Sequence, residues 1–360
     1  MIKKFDEVFV DKTRLGKKIP KEEYKKKGKY IIIDQGKDKI AGFTDNEDGI
    51  FTDVPTIIFG DHTRIIKYID KPFFLGADGV KVLKSKINNA NYKYLYYALK
   101  AAYIPNTGYN RHFKWLKKVS INYPSFEKQK RIVKLLDNLS EVKNKKNEEL
   151  KLCDTLIKAR FVEMFGDPQG DHSKWKKSTI KECCTLKSGK TLSKDIENEG
   201  GNIPYVKVKD MNNRSNTTYI TTSSRFVSNK TAGKGIFPIG TVIFPKRGGA
   251  IGTNKKRLTK VSICADLNIM GVVPDITKVN PQYLFAYFNT IDLRTFNNGS
   301  SIPQINNKDI DPLNINLPPL SLQNDFAAFV KQVDKSKVAI QKSLDETQIL
   351  FDSLMQKYFS

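Results

Sequence analysis

Residues 121–129 read Ile-Asn-Tyr-Pro-Ser-Phe-Glu-Lys-Gln, and residues 315–323 read Ile-Asn-Leu-Pro-Pro-Leu-Ser-Leu-Gln. Ile121 matches Ile315, Asn122 matches Asn316, Pro124 matches Pro318 and Gln129 matches Gln323, all at an offset of 194. After each proline the chain runs on without Pro or Gly, over 125–165 and again over 321–359. A proline ahead of a long stretch free of helix breakers punctuates the start of a helix. Both stretches keep a seven-residue period in one register. One seam position reads Leu136, Lys143, Leu150, Ile157, Met164, and its copy reads Val330, Lys337, Leu344, Phe351, Tyr358. The companion position reads Leu139, Lys146, Cys153, Arg160, and its copy Val333, Ile340, Thr347, Leu354.

A heptad stripe is the mark of a seam between helices. The predicted apolar seam is Leu136, Leu139, Leu150, Ile157, Val330, Val333, Leu344, Phe351 and Leu354. The lysine at 143 and 337 costs stability in such a seam and can fix its register. Roughly 40 residues at about 1.5 Å each reach about 60 Å, which suits a spacer better than an ordinary globular helix. Two such stripes in one chain have an obvious partner in each other, which favours a shared seam over two unrelated amphipathic helices.

The repeat continues upstream. Asn91-Tyr-Lys-Tyr-Leu aligns with Asn280-Pro-Gln-Tyr-Leu, Tyr94 falling on Tyr283 and Leu95 on Leu284. Each reads as a short amphipathic helix with an Asn cap. Ile57-Ile-Phe-Gly aligns with Val242-Ile-Phe-Pro, and Ala77-Asp78 with Ala265-Asp266. These β-branched runs bounded by Gly, Pro and Asn read as strands and turns. Each globular part is therefore mostly β with a helix or two.

Composition narrows the function. The 360 residues exceed one typical core. A hydrophobic content of 39% and an aromatic content of 11% suit folded domains. No apolar run approaches the roughly 18 residues of a membrane span, and the charged start Met1–Asp11 is no secretory signal. Four cysteines, two of them the adjacent Cys183 and Cys184, do not make a disulfide framework; a reducing cytoplasm is the simple inference. The net charge of +24 is unevenly placed. Residues 1–125 carry 25 basic and 14 acidic side chains, and residues 167–319 carry 22 and 12. Residues 126–166 carry 10 and 7, and residues 320–360 carry 5 and 5. The excess thus sits on the globular parts, where it attracts a polyanion through phosphate neutralisation.

Motifs of catalysis start and fail. Gly189-Lys190-Thr191 ends like a phosphate loop, but the first glycine of that pattern is Cys184 here. Gly248-Gly249-Ala250-Ile251-Gly252 lacks the first glycine of a dinucleotide turn, the place being Arg247. Asn280-Pro281-Gln282-Tyr283 approaches the base-holding turn of amino-methyltransferases, with Gln282 in place of the second proline and no Gly-rich cofactor loop before it. Glu141-Val142-Lys143 lies inside a helix ahead of Pro274-Asp275, the wrong order for a nuclease. His62, His112 and His172 are far apart, and none has zinc spacing with Cys183 or Cys184. No catalytic, cofactor or metal residue is predicted. Binding chemistry remains. Lys246, Arg247, Thr253, Asn254, Lys255, Lys256 and Arg257 crowd a glycine-rich loop, and Asp61, His62, Thr63 and Arg64 hold the same place in the first copy. Arg suits guanine, Asn adenine and Lys phosphate, so all eleven are candidate contacts to double-stranded DNA.

At these residues the chain resembles the specificity subunits of type I restriction-modification systems. The carrying segments are Ile31–Gly36, Ile40–Thr44, Ile57–Arg64 and Gly76–Val80, then Val206–Met211, Gly240–Phe244, Cys264–Pro274, Ile302–Gln304 and Asn314–Leu320. Phe161-Val-Glu-Met-Phe-Gly-Asp-Pro168 closes the first long helix in the family's manner. The resemblance covers essentially the whole chain, and it rests on the order of the segments and the duplication. It implies an α+β protein with a pseudo-twofold internal repeat. Two mixed α/β target recognition domains, 1–124 and 167–319, would be separated by two long antiparallel coiled-coil helices, 125–166 and 320–360. Each domain would read half of a split DNA site and the helices would set the spacing. Two modification subunits would dock there and methylate adenine with S-adenosylmethionine, and restriction subunits would cut. No cofactor and no membrane contact would then belong to this chain. The first copy starts at about Phe5 against Ile180, so any leading segment carried by relatives is missing or minimal. The rival readings are a stand-alone DNA methyltransferase using Asn280–Tyr283 and a non-specific architectural DNA binder.

Overall fold

The computed structural model describes residues 1–76, 78–167, 174–197, 199–296 and 302–359. Ala77, Pro168 and His172, all named above, lie outside the described residues, as does the final residue of the predicted helix 320–360. The chain divides into two compact units, Met1–Glu148 with Gln341–Ser360, and Glu149–Ile340. Each unit therefore owns part of both long helices, so the helices are not separate bodies beside the globular parts.

Unit 1 runs β1 (Ile2–Lys4), α1 (Phe5–Val8), β2 (Phe9–Asp11), β3 (Tyr30–Ile33), β4 (Gly42–Thr44), β5 (Thr56–Gly60), β6 (Ile66–Ile69), β7 (Phe73–Leu75), β8 (Val80–Ser85), α2 (Tyr92–Ala101), α3 (Phe113–Leu116) and β9 (Ser120–Asn122). It ends with the first part of α4 (Phe126–Phe165). An antiparallel sheet of order β2-β8-β5-β6 faces a second sheet of order β4-β3-β7, in which β3 and β7 are parallel, and β1 pairs with β9. The run Thr56-Ile-Ile-Phe-Gly is buried at every residue, as expected of a central strand covered on both faces. Helix α2 packs Tyr94, Leu95, Tyr97, Ala98 and Leu99 inward, and Asn91 caps it by accepting from the Tyr94 amide at 3.1 Å.

Unit 2 repeats this order with insertions. Its elements are β10 (Lys176–Thr179), α5 (Ile180–Cys183), β11 (Cys184–Ser188), α6 (Lys194–Glu197), β12 (Ile203–Val206), β13 (Tyr219–Ile220), β14 (Phe226–Val227), α7 (Asn229–Ala232), β15 (Ile236–Phe237), β16 (Val242–Pro245), β17 (Arg257–Thr259), β18 (Ile263–Ala265), β19 (Ile269–Pro274), α8 (Pro281–Thr290), α9 (Asn307–Ile310), β20 (Asn314–Leu317) and α10 (Leu320–Phe359). The main sheet, β11-β19-β16-β17, follows β2-β8-β5-β6 strand for strand and adds β13 at the edge. Sheet β14-β12-β18 follows β4-β3-β7, again with one parallel pair, and β15 extends it. Registers agree too: Ile58 faces Val82 as Ile243 faces Gly271. The offset between copies grows in steps, 175 at Phe5/Ile180, 185 at Ile57/Val242, 189 at Tyr94/Tyr283 and 194 at Ile121/Ile315. Insertions in the loops of the second copy produce those steps, and the frame is untouched by them.

The repeated Gln129 and Gln323 now have a reason. Both are almost wholly buried, at 1% and 0% exposure. Each donates its side-chain amide to the carbonyl of the proline five residues back, Gln129 to Pro124 at 3.0 Å and Gln323 to Pro318 at 2.9 Å. The Pro-to-Gln phrase is a lock on the entry of each long helix.

Within unit 1 the start of α4 packs on the end of α10. Phe351 is buried with Ile132, Val133 and Leu136, and Leu139, Leu354 and Tyr358 pack around them. The Lys143 ammonium sits 4.7 Å over the Phe351 ring. Within unit 2 the end of α4 meets the start of α10. Asp154 pairs with Lys337 at 2.7 Å, Arg160 lies over Phe329, and Phe161 packs edge-on against Phe326 with centroids 5.5 Å apart. Partners on one helix rise in number as those on the other fall, so the two run antiparallel. Leu136, Val330, Val333 and Phe351 are buried; Leu139, Leu150, Ile157, Leu344 and Leu354 are half-buried. The two seam lysines thus take different partners, an aromatic ring in one unit and a carboxylate in the other. No helix of the described residues is long and apolar enough to cross a membrane.

Candidate nucleic-acid interface

In each unit the turns after β3, β5 and β7, and those of their counterparts, come together at one end of the sheets. In unit 1 the organiser is Gln35. Its side-chain oxygen accepts from the His62 amide at 3.1 Å, its amide donates to the Asp78 carbonyl at 3.0 Å, and its carbonyl accepts from the Thr63 hydroxyl at 2.6 Å. The segment before α3 closes over the same turn: the His112 amide donates to the Asp61 carbonyl at 2.8 Å. His112 is fully buried and its Nδ1 also donates to that carbonyl, at 3.0 Å. Its partners are all within the fold, so it is a framework residue.

Unit 2 builds the matching turn differently. Strand β16 ends at Pro245, Lys246 reaches Ser188 at 2.8 Å, and Arg247 bridges the backbone of Gln304. The Gly248 amide donates to the Pro303 carbonyl, and the Ile305 amide to the Lys246 carbonyl, both at 2.8 Å. A short 3-10 turn follows over Gly248–Thr253, with Ile251 inserted into the core at 2% exposure. Asn254 then takes the left-handed conformation at φ 53°.

These positions sort the eleven predicted contacts. His62, Thr63, Lys246, Arg247, Thr253 and Lys255 reach the surface in whole or part. Of the other five, Asp61 and Lys256 are buried, which corrects the expectation that they are free to grip bases, and Arg64, Asn254 and Arg257 are half-buried with hydrogen bonds inside the fold. Asp61 is 4% exposed and its carboxylate accepts from the Phe113 amide at 2.7 Å. Arg64 is left-handed at φ 61° and donates to the Ile104 carbonyl at 3.1 Å. The Asn254 side-chain oxygen accepts from Lys256 at 2.7 Å and from the Leu293 amide at 2.9 Å. Lys256 is 4% exposed, and its second partner is the Ile291 carbonyl. Burial pulls its pKa down to about 8, against attraction from Asp292. Arg257 donates to the carbonyls of Asn216, Lys256 and Met211. Lys-Lys-Arg in sequence looks like a basic patch, yet two of its three cations are structural props.

Other residues at this end carried no obvious signal. Tyr109 is 89% exposed, and its ring stacks on His62 with centroids 4.9 Å apart and planes 12° from parallel. Tyr103 is 84% exposed nearby in sequence. The clue was available in Tyr103-Ile-Pro-Asn-Thr-Gly-Tyr-Asn-Arg111, a turn-rich segment with two aromatics and an arginine. In unit 2, Lys209 and Arg214 are exposed in the insertion after β12, and Lys255 reaches Asn212 there.

The decoys resolve into structure. A Cβ on Gly189 would lie 2.1 Å from the Asp266 carbonyl oxygen and 2.4 Å from that of Ala265, so close backbone approach demands the glycine. Asn280 caps α8 by accepting from the Gln282 amide at 2.8 Å, and donates to Asn324 at 2.8 Å. Tyr283 is 2% exposed and its hydroxyl donates to the Asn316 carbonyl at 2.7 Å. That turn caps a helix, and its tyrosine is spent on the core. Among the described residues no three His, Cys, Asp or Glu side chains gather as a metal site would require.

The molecule is thus a duplicated-domain protein, two copies sharing one frame and differing in the loops at one sheet end. The chain belongs to the family described as the type I restriction modification DNA specificity domain, whose sequence profile matches residues 1–152 and 172–348. It is 24% identical over 270 residues to the type I restriction enzyme MjaIX specificity subunit of Methanocaldococcus jannaschii, covering 67% of this chain and 60% of that one. It is 23% identical over 315 residues to the putative MjaX specificity subunit of the same organism, covering 78% and 72%. The crystal structure of a type I restriction-modification S subunit from M. genitalium has the same fold, with a TM-score of 0.61 at 19% identity over 100% of this chain and 96% of that one. A structure described under complex assembly and conformational transition of the type I R-M system gives 0.55 at 18% identity, over 92% and 91%.

Proposed function

We propose that this chain is the DNA sequence-recognition subunit of a type I restriction-modification complex, each unit reading one half of a bipartite site. One observation carries the reading. The same sheet end bears Gln35, His62, Thr63 and Tyr109 in unit 1, and Lys246, Arg247, Thr253 and Lys255 in unit 2. A shared frame with unlike side chains suits two different half-sites better than one palindrome. Phosphate contacts from the basic surface supply affinity, and the side chains at the loop tips supply discrimination. The long helices join the two readers and offer modification subunits a docking surface. Methyl transfer and its S-adenosylmethionine then belong to two partner modification subunits, cutting belongs to restriction subunits, and the complex acts on cytoplasmic DNA.

The test is to mix the chain with its modification subunit, methylate random duplex DNA, and map the modified adenines. Modification confined to one bipartite sequence is expected. Methylation that ignores sequence, or methyl incorporation by this chain alone, overturns the proposal.

A further inference from the structure

An exposed aromatic ring leaves apolar surface in water, which is unfavourable unless something covers it. Tyr109 is 89% exposed, yet it is held in place. The segment 102–112, which joins α2 to α3, closes on itself around this residue. The Asn106 side-chain oxygen accepts from the Gly108 amide at 3.2 Å, and the Asn110 side-chain amide donates to the Thr107 carbonyl. The Thr107 amide donates to Nε2 of the fully buried His112 at 3.4 Å, which roots the turn in the framework. The ring itself lies flat on His62, with centroids 4.9 Å apart and planes 12° from parallel. One face of Tyr109 is thus fixed against the protein, and the rest of the ring is open to solvent.

The histidine under the ring is a second, independent observation. Its Nδ1 atom is shut off from water and has no hydrogen-bond partner among the described residues. A buried polar atom left in that state destabilises the fold. The local turn does not require the imidazole, since its ties to Gln35 run through the His62 amide and the Thr63 hydroxyl. Neither the exposed ring nor the unsatisfied imidazole is therefore explained by the fold, and the two touch each other. Cations lie beside them. Arg111 is exposed two residues on from the ring. The Asp78 carboxyl is held below its ordinary value, chiefly by Lys18 and further by Arg111, and the Asp78 carbonyl is bound to Gln35. A rigid, apolar, outward-facing ring next to a guanidinium matches a DNA groove, where phosphates flank the base edges.

We propose that Tyr109, backed by His62, determines the specificity of unit 1 by packing its open surface against the 5-methyl group of a thymine in the half-site. The inference rests on the function proposed above. Thymine alone among the four bases carries an apolar group on its major-groove edge, so it is the edge an aromatic ring selects. Arg111 supplies the flanking phosphate contact. The second copy reads by other means: its connection between α8 and α9, residues 291–306, contains neither Tyr nor His.

The experiment uses the full chain with its modification subunit and the mapped bipartite duplex, comparing wild type with Tyr109→Ala and Tyr109→Phe. The duplex is also made with uracil replacing one thymine at a time, which deletes the methyl group and keeps the base pairing. At one position the wild-type complex should lose about tenfold in affinity, the scale of one base-edge contact. Tyr109→Ala, already weaker by that factor on the thymine duplex, should lose nothing more there, and Tyr109→Phe should behave as wild type. The ring is exposed, so the thermal midpoint of Tyr109→Ala should stay close to the wild-type value. If every thymine that matters to the wild type still matters to Tyr109→Ala, another residue reads it and the proposal fails. A site without thymine, or wild-type affinity in Tyr109→Ala, overturns it as well. Failure of Tyr109→Ala to assemble with the modification subunit also overturns it, assigning the ring to a protein contact. If the wild-type complex itself shows no site preference, the underlying function fails instead.

Discussion

Arg257 and Arg247 are ten residues apart, and the structure gives them opposite duties. The Arg257 guanidinium donates to three backbone carbonyls, those of Asn216, Lys256 and Met211, and thereby ties β17 to the insertion after β12. Asn216 and Met211 are both wholly buried, so carbonyls abandoned by Arg257→Ala find little water. A hydrogen bond from a charged donor is worth about 1.5–3 kcal/mol, but three from one group are not additive, and alanine also removes the cost of desolvating the cation. A net loss of about 2–4 kcal/mol is expected for unit 2. At a slope of about 2–3 kcal/mol per molar urea, its unfolding midpoint drops by about 1 M. Arg247 is exposed, so Arg247→Ala should stay within about 0.5 kcal/mol of wild type. The same substitution should weaken one half-site by about 1–3 kcal/mol if the guanidinium grips a guanine. Urea unfolding followed by circular dichroism, paired with titration of the target duplex, reads both quantities. Wild-type stability in Arg257→Ala together with a half-site defect would refute the assignment, because the arginine would then be a reader and its carbonyl contacts incidental. A uniform loss across sequences in Arg247→Ala would reassign that residue to phosphate.

Three further outcomes are expected. Leu136 is fully buried in the unit 1 core beside Phe351, so Leu136→Ala should cost about 2–5 kcal/mol in denaturant unfolding. Lys256 titrates near 8 in the folded unit against an ordinary 10.5, so between those values the unfolded chain holds the extra proton and stability rises with pH. The urea midpoint of unit 2 should increase from pH 7.5 to pH 9.5, and Lys256→Met should flatten that rise; an unchanged slope in the variant sinks the account. Asn280→Ala should cost about 1 kcal/mol as a lost cap and leave DNA specificity as it was. A selective loss of methylation there would revive a catalytic role for that turn.

The scaffold was readable in the sequence because its physics is periodic. Heptad spacing, Pro ahead of each helix and the constant offset from Ile121 onward each follow from geometry that repeats along the chain. Asn91 and Asn280 were legible as caps for the same reason: a cap is a local device. The loops were less legible, because a charged residue does not announce which way it points. Lys255 and Lys256 are neighbours of the same type, yet one lies at the surface and the other is buried on the Ile291 carbonyl. Only the fold brings Asn254, Leu293 and Ile291 to that place. The stacking of Tyr109 on His62 likewise joins residues 47 positions apart, across a contact that no short-range pattern encodes.

The assignment of the last stretch, Gln341–Ser360, to unit 1 bears on how the protein is born. Unit 2 is continuous in sequence and is fully synthesised while unit 1 still lacks its final helical turns. Until those turns emerge, Tyr94, Tyr97 and Leu136 are without the covering Phe351 and Phe359. A chain truncated after residue 340 therefore has one complete unit and one with an open apolar flank, the kind of surface on which incomplete chains aggregate. Of the two units, the one split in sequence is completed after the continuous one.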